Sequence, residues 1–202
     1  MASLGVVVAI TWVKPSGAEY ASVALAYGKL VASGMAIGAD PLPYHMDYSL
    51  TCDDGYITRQ LRVHAAGDGW DRAIDLSRDP DGAPGQKGGA WRLTADASGI
   101  VDLPPPGGEP ETFAGALDCD LGLSPLTNTM PVLRHGLMHG GDPVTFLMAW
   151  VSVPDLSVRA SRQRYTYLRP GVVNYASGSF SEDIVFDGDG LVLDYPSIGK
   201  RA

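Results

Sequence analysis

Cysteine is nearly absent from this chain. The two that occur, Cys52 and Cys119, stand in no metal-binding or redox spacing, which excludes a disulfide-dense scaffold and a cysteine zinc site. One disulfide between them is conceivable, but two reduced, buried thiols are the favoured reading. Positive charge is scarce too. Fifteen Lys and Arg stand against 23 Asp and Glu, a net charge of −8. Nucleic acid and anionic membrane surfaces both require clustered cations, so neither is an expected partner. No apolar run reaches the ~18–20 residues of a membrane helix. The opening MASLGVVVAITWVK has no Lys or Arg before its short apolar run, and Lys14 follows it. A secretory signal carries its charge first, so the stretch reads as a first strand and the protein is expected in the cytoplasm.

Helical periodicity is also in short supply, and most apolar positions alternate with a period of two. In ITRQLRVHA (57–65), Ile57, Arg59, Leu61 and Val63 fall on one face, with Thr58, Gln60, Arg62 and His64 on the other. TFLMAWVSV (145–153) is a nearly continuous apolar run, as expected of a strand covered on both faces. RQRYTYL (162–168) and VVNYASGSF (172–180) are strand-like in their tyrosine and valine content. In the last stretch, two such runs flank Asp187-Gly188-Asp189-Gly190, a tight turn. Alanine-rich 18–34 is ambiguous: a helix over roughly 18–27 competes with a strand. The 25 glycines and 15 prolines point to many turns, and two segments, SRDPDGAPGQKGG (77–89) and LPPPGGEPE (103–111), are loops by composition. Composition does not shift across either loop, so one domain over 1–202 is expected. A mostly-β chain with many strands must roll its sheet or close it to manage its edges.

Motifs for chemistry are few. His135 and His139 have the i, i+4 spacing of a helical zinc pair. Gly136, Gly140 and Gly141 argue against a helix there, however, and no glutamate stands beside them. The Asp187–Gly190 run opens like a calcium loop, but Ile198 occupies the twelfth position, where a bidentate glutamate is required. Neither GLSPL nor GSFSE is a nucleophile elbow, and GQKGG lies outside any strand-to-helix phosphate loop. No metal and no cofactor are expected. Asp118 and Asp120 would share one strand face, close enough to raise one pKa and build a general acid. A structural role, pairing with Arg134 or with backbone N–H groups, is the favoured alternative. Asp53-Asp54 is a second acidic pair. Trp12, Trp70, Trp91 and Trp150, with Tyr165, Tyr167, Tyr175 and Tyr195, spread over several strands. Such rings line sugar and lipid sites, and they also fill ordinary cores.

SPLTNTMPVLR (124–134) is too polar for a core strand and too apolar for a solvated loop. Prolines at 125 and 131 bias Ser124 and Met130 toward extended backbone. Thr127, Asn128 and Thr129 can bond back to the chain, with Leu126, Met130 and Val132 pointing inward and Arg134 placed to pair with Asp118 or Asp120.

Several segments together carry a resemblance: GAEYASV (17–23), YSLTCDDGYITRQLRV (48–63), GGAWRL (88–93) and LDCDLGLSPLTNTMPVLR (117–134). It continues in VSVPDLSVRASRQRYTYL (151–168) and FSEDIVFDGDGLVLDYPSIGKR (180–201), so nearly the whole chain takes part in order. The chain resembles the bacterial "putative glycolipid-binding" family. Ile57, Leu126 and Met130 depart from the residues usual there but stay apolar. The resemblance implies an all-β fold, a highly twisted antiparallel sheet rolled into a spiral β-roll or open barrel, similar to lipoprotein-carrier folds. It brings no catalytic motif.

Three functions follow as expectations. The first is a non-enzymatic binding protein for an amphipathic molecule, a glycolipid or other lipid, in an apolar cavity. Its contact residues would be drawn from Trp91, Asp120, Asn128, Arg134, Tyr165 and Asp194. The second is a hydrolase or isomerase using Asp118 or Asp120 as acid or base. The third is a scaffold that recruits a partner along a sheet edge. Ligand identity and oligomeric state are not legible in the residues.

Overall fold

The computed structural model describes residues 5–79 and 89–202, apart from the side chain of Val6. The loop expected over 77–89 therefore falls largely outside the described residues. Fourteen strands account for most of the described residues. The first seven are β1 (Val6–Lys14), β2 (Gly17–Ala26), β3 (Lys29–Gly38), β4 (Tyr44–Asp53), β5 (Ile57–Gly67), β6 (Trp70–Asp79) and β7 (Ala90–Gly99). The second seven are β8 (Asp118–Leu121), β9 (Val144–Val151), β10 (Val158–Arg169), β11 (Val172–Ser177), β12 (Phe180–Phe186), β13 (Val192–Tyr195) and β14 (Gly199–Arg201). One short helix, α1 (Thr129–Arg134), stands between β8 and β9.

All fourteen strands form one sheet. Its order is β7-β6-β5-β4-β3-β2-β1, then β14-β13-β12-β11-β10-β9-β8. Two meanders thus meet back to back at β1 and β14, and the 100–117 connection carries the chain from one outer edge to the other. Every pairing is antiparallel except β8 with β9, which is parallel because that long connection delivers β8 in the direction of β9. Residues 18–27, where helix and strand compete in the sequence, lie on β2 and its turn. Nine Cα pairs with β1 and ten with β3 outweigh the alanine content.

The sheet rolls because its strands twist, and the roll brings the short edge strand β8 against β5. A bulge makes that seam. Thr51 pairs with Gln60 but Cys52 pairs with Thr58, leaving Arg59 as the extra residue. The expected alternation in 57–65 breaks there, so that Thr58 turns inward and is buried while Arg59 is exposed. The Thr58 N–H donates to Leu117 O, and its Oγ1 accepts from Cys119 N at 3.0 Å. Trp91 closes the other flank, its Nε1 donating to Ala116 O at 3.0 Å and its ring lying edge-on to Phe113.

Large side chains fill the interior of the roll, with Trp12, Leu30, Leu50, Leu61, Leu76, Phe113 and Leu121 fully buried. A second cluster under β9–β13 contains Phe146, Tyr165, Val173, Tyr175, Ile184 and Tyr195. Trp12 ties the two halves of the sheet, its Nε1 donating to Val192 O at 2.9 Å. Cys52 and Cys119 are free and buried. Burial raises both thiols, Cys119 to about 12, so neither is a ready nucleophile.

SPLTNTMPVLR is helical. A 3-10 turn over Leu126–Asn128 runs directly into α1. Met130 is in the helix, against the extended backbone expected before Pro131. Pro131 is the third residue of α1, a first-turn position whose N–H would have no intrahelical partner. Leu126, Met130 and Val132 are fully buried, as expected.

Candidate functional site

Asp118 and Asp120 stand two residues apart on β8, so both carboxylates leave the same face of the strand. Their surroundings separate them. Arg134, the last residue of α1, forks onto Asp118, with Nη1 2.7 Å from Oδ1 and Nη2 on Oδ2. Asp118 is buried and Arg134 mostly so, and the guanidinium also lies over the Phe146 ring, 5.7 Å from its centroid. Burial nonetheless leaves the Asp118 carboxyl above its usual range, with Arg134 pulling the other way. Among the described residues, no cation pairs with Asp120. Its Oδ1 accepts from Thr127 Oγ1 at 2.8 Å and its Oδ2 from Gln163 Nε2 at 2.6 Å. Burial raises this carboxyl as well, and the Asp118 charge adds to the rise.

Asn128 belongs to the same assembly. Its Oδ1 accepts from Tyr165 Oη at 2.9 Å, while its Nδ2 donates to Pro125 O within the 3-10 turn. The Asp120 charge contributes to raised pKa values at Tyr165, Tyr175 and Tyr195, after the larger effect of burial at each. All three phenols therefore lie within electrostatic reach of one carboxylate. Their rings pack edge-on or tilted, Tyr165 against Tyr175 at 5.3 Å and Tyr175 against Tyr195 at 6.0 Å.

Above this assembly lies a cleft of about 500 Å³, a size ordinary for small-molecule sites. Its deeper lining includes Asp120, Ser124, Asn128, Tyr175 and Tyr195. Ser124 is held by a second buried network. Its Oγ donates to Glu19 Oε1 at 2.6 Å, Tyr48 Oη donates to the same oxygen at 2.8 Å, and Lys14 Nζ lies 2.5 Å from Oε2. The rim is exposed and mixed: Asp40, Pro41, Leu123, Arg159, Ala160 and Phe180. Arg159 lies flat against Trp150, its guanidinium carbon 4.4 Å from the ring centroid, as cation–π attraction favours.

The six residues expected at a binding site do not share one place. Asp120 and Asn128 line the cleft. Tyr165 lies behind Asn128 and Arg134 behind Asp118, and neither lines it. Trp91 is committed to the seam with Phe113 and Ala116. Asp194 pairs with Lys200 on β14, whereas its neighbour Tyr195 lines the cleft. Adjacent strand residues point to opposite faces, which separates these two. Arg159, Leu123 and Phe180 line the cleft too, and no motif marks them, whereas Ser124 stands in a stretch whose residues read as a structural corner. Trp150 and Tyr175 were visible only as members of a scattered aromatic set.

Other candidates resolve into structure. His135 caps the end of α1 and packs on Phe146 at 4.8 Å, and His139 sits in the following turn. Asp187 organises its own turn, accepting from Asp189 N and Leu191 N and pairing with Arg201. Among the described residues, no three His, Cys, Asp or Glu side chains stand together in a way that could hold a metal ion.

The family model described as "Putative glycolipid-binding" matches residues 9–201, which is nearly the full length of the sheet. The chain belongs to this family. A solved structure is similar over almost all of both chains: a DUF1089 family protein from Pseudomonas aeruginosa, 29% identical, covering 95% of each chain with a TM-score of 0.67. Comparison with curated proteins gave no match. Membership in the glycolipid-binding family agrees with the rolled, mostly-β sheet, which is open and not closed into a barrel. Among the described residues, no helix is long and apolar enough to cross a membrane.

Proposed function

We propose that this protein is a non-enzymatic binder of an amphipathic small molecule, a glycolipid or a related lipid, and that the cleft over Asp120 is its site. The observation that carries the reading is the composition of the cleft. A carboxylate with spare acceptor capacity, a serine, an amide and two tyrosines sit deep, under an exposed rim where Pro41, Leu123, Ala160 and Phe180 stand between Asp40 and Arg159. A ligand with one hydrogen-bonding end and one apolar end satisfies both zones. The name of the glycolipid-binding family points the same way.

Chemistry at Asp118 or Asp120 is the weaker reading. Asp118 is locked in a fork with Arg134, and both oxygens of Asp120 already accept bonds from side chains built around them. Carboxylates held in place on both oxygens suit a rigid floor better than a proton shuttle.

Native mass spectrometry of protein purified from its own host tests the proposal. The expected spectrum contains an adduct of lipid mass, reduced or lost on Ser177→Phe, since Ser177 of β11 also lines the cleft and a ring there would narrow it. A ligand-free mass for the unaltered protein, or an adduct untouched by Ser177→Phe, contradicts it.

A further inference from the structure

Resting on the binding role proposed above, we infer that the ligand enters head first, its hydroxyl-rich group on the floor of the cleft and its hydrocarbon chain leaving across the rim. Carriers that hide a lipid tail need the reverse order, with a deep apolar cavity and a polar mouth. Here the buried lining carries most of the hydrogen-bonding groups, and the mouth sets the apolar Pro41, Leu123, Ala160 and Phe180 between Asp40 and Arg159.

At the floor, the Asp120 carboxylate offers about four acceptor positions, of which Thr127 and Gln163 use two. Ser124 donates to Glu19 and so keeps its oxygen as an acceptor. Tyr195 is buried, lines the cleft, and its hydroxyl makes no hydrogen bond among the described residues. Together these groups both accept and donate, as a polyol surface requires. Burying an alkyl chain over them would take the carboxylate's two open acceptor positions and the phenol out of water with no new partner, a penalty for polar groups.

At the rim, Leu123 is 41% exposed and Phe180 37% exposed, both large apolar side chains left in solvent at the mouth. Leu123 adds an independent observation. Its φ is +62°, the left-handed region in which a non-glycine residue is uncommon and strained. Glycine or asparagine would sit there with less strain, so the position holds an apolar side chain at the mouth in spite of the backbone. Phe180 is held edge-on to Tyr175, 5.9 Å away, which continues the tyrosine floor outward into an apolar wall.

Calorimetric titration with hexyl, heptyl, octyl and nonyl glycosides, each as β-glucoside, β-galactoside and α-mannoside below its micelle concentration, tests the orientation. Affinity is expected to differ at least tenfold among the sugars and to change less than twofold per added methylene. Tyr195→Phe should weaken binding severalfold at every chain length. Leu123→Asn keeps a residue suited to that backbone, and should lower nonyl affinity more than hexyl affinity. An increase of about fourfold per methylene, the full transfer value of a buried CH₂, with no discrimination among sugars, overturns the head-first orientation and leaves the binding role standing. Absence of binding by any glycoside, when the host protein carries a lipid adduct, also overturns it. Absence of both overturns the binding role itself.

Discussion

Single residues in this protein are fixed by who shares their burial. Arg134 and Asp118 are both removed from water and satisfy one another through a two-pronged contact. Arg134→Met would strand a buried carboxylate, and by the usual consequence of breaking such a pair it should lower unfolding free energy by about 3–5 kcal/mol in urea titration. A loss below about 1 kcal/mol would mean that Asp118 finds another partner. Asp120 makes the opposite case, because burial raises its pKa and no cation offsets it. A carboxyl raised on folding contributes stability that is complete below its unfolded pKa of about 3.9 and is lost as pH rises through the folded value. Asp120→Asn should therefore gain stability over the unaltered protein as pH increases from 4 to 8, measured as the difference in Tm. A difference that is constant with pH, or that falls, contradicts the shift.

At the scale of elements, the segment from Ser124 to Arg134 shows what sequence could and could not reveal. Its burial was legible: Leu126, Met130 and Val132 point inward, and Arg134 meets Asp118. Its conformation was not. The rule that a residue before proline avoids helix is a local preference, and the first turn of α1 overrides it at Met130 because Pro131 needs no N–H partner there. The strands were legible wherever one face is buried, since alternation then reports the core. Sequence lost the pattern at the Arg59 bulge, where one extra residue reverses the faces and nothing in the residue types announces it. The cleft was harder to foresee, because it gathers residues from the β3–β4 connection and from β8 to β13, and only topology brings those elements together. One further expectation belongs to α1. Thr129 Oγ1 is buried with no partner among the described residues, so Thr129→Val, which removes the hydroxyl but keeps the shape, should hold or raise Tm. A marked fall would show that the hydroxyl is bonded in solution.

The whole molecule is two meanders joined at one short ladder. β14 is three residues long and pairs with both β1 and β13, with Trp12 reinforcing the joint from inside. Deleting Gly199–Ala202 should uncouple the halves, so that urea unfolding broadens and its slope falls. A single transition of unchanged slope would show that the interior carries the coupling without the ladder. The outer face across β1–β3 exposes Val7, Val13, Tyr20, Val31, Met35 and Ile37, so this rolled sheet has apolar surface outside as well as a cleft inside. The central claim is that the inner cleft is where the amphipathic ligand binds. A crystal structure of the protein with lipid carried from its own host tests it most directly. The account predicts density in the cleft, with its polar end within hydrogen-bond distance of Asp120. A ligand seated instead on the outer face of β1–β3, with the cleft holding only water, would contradict it.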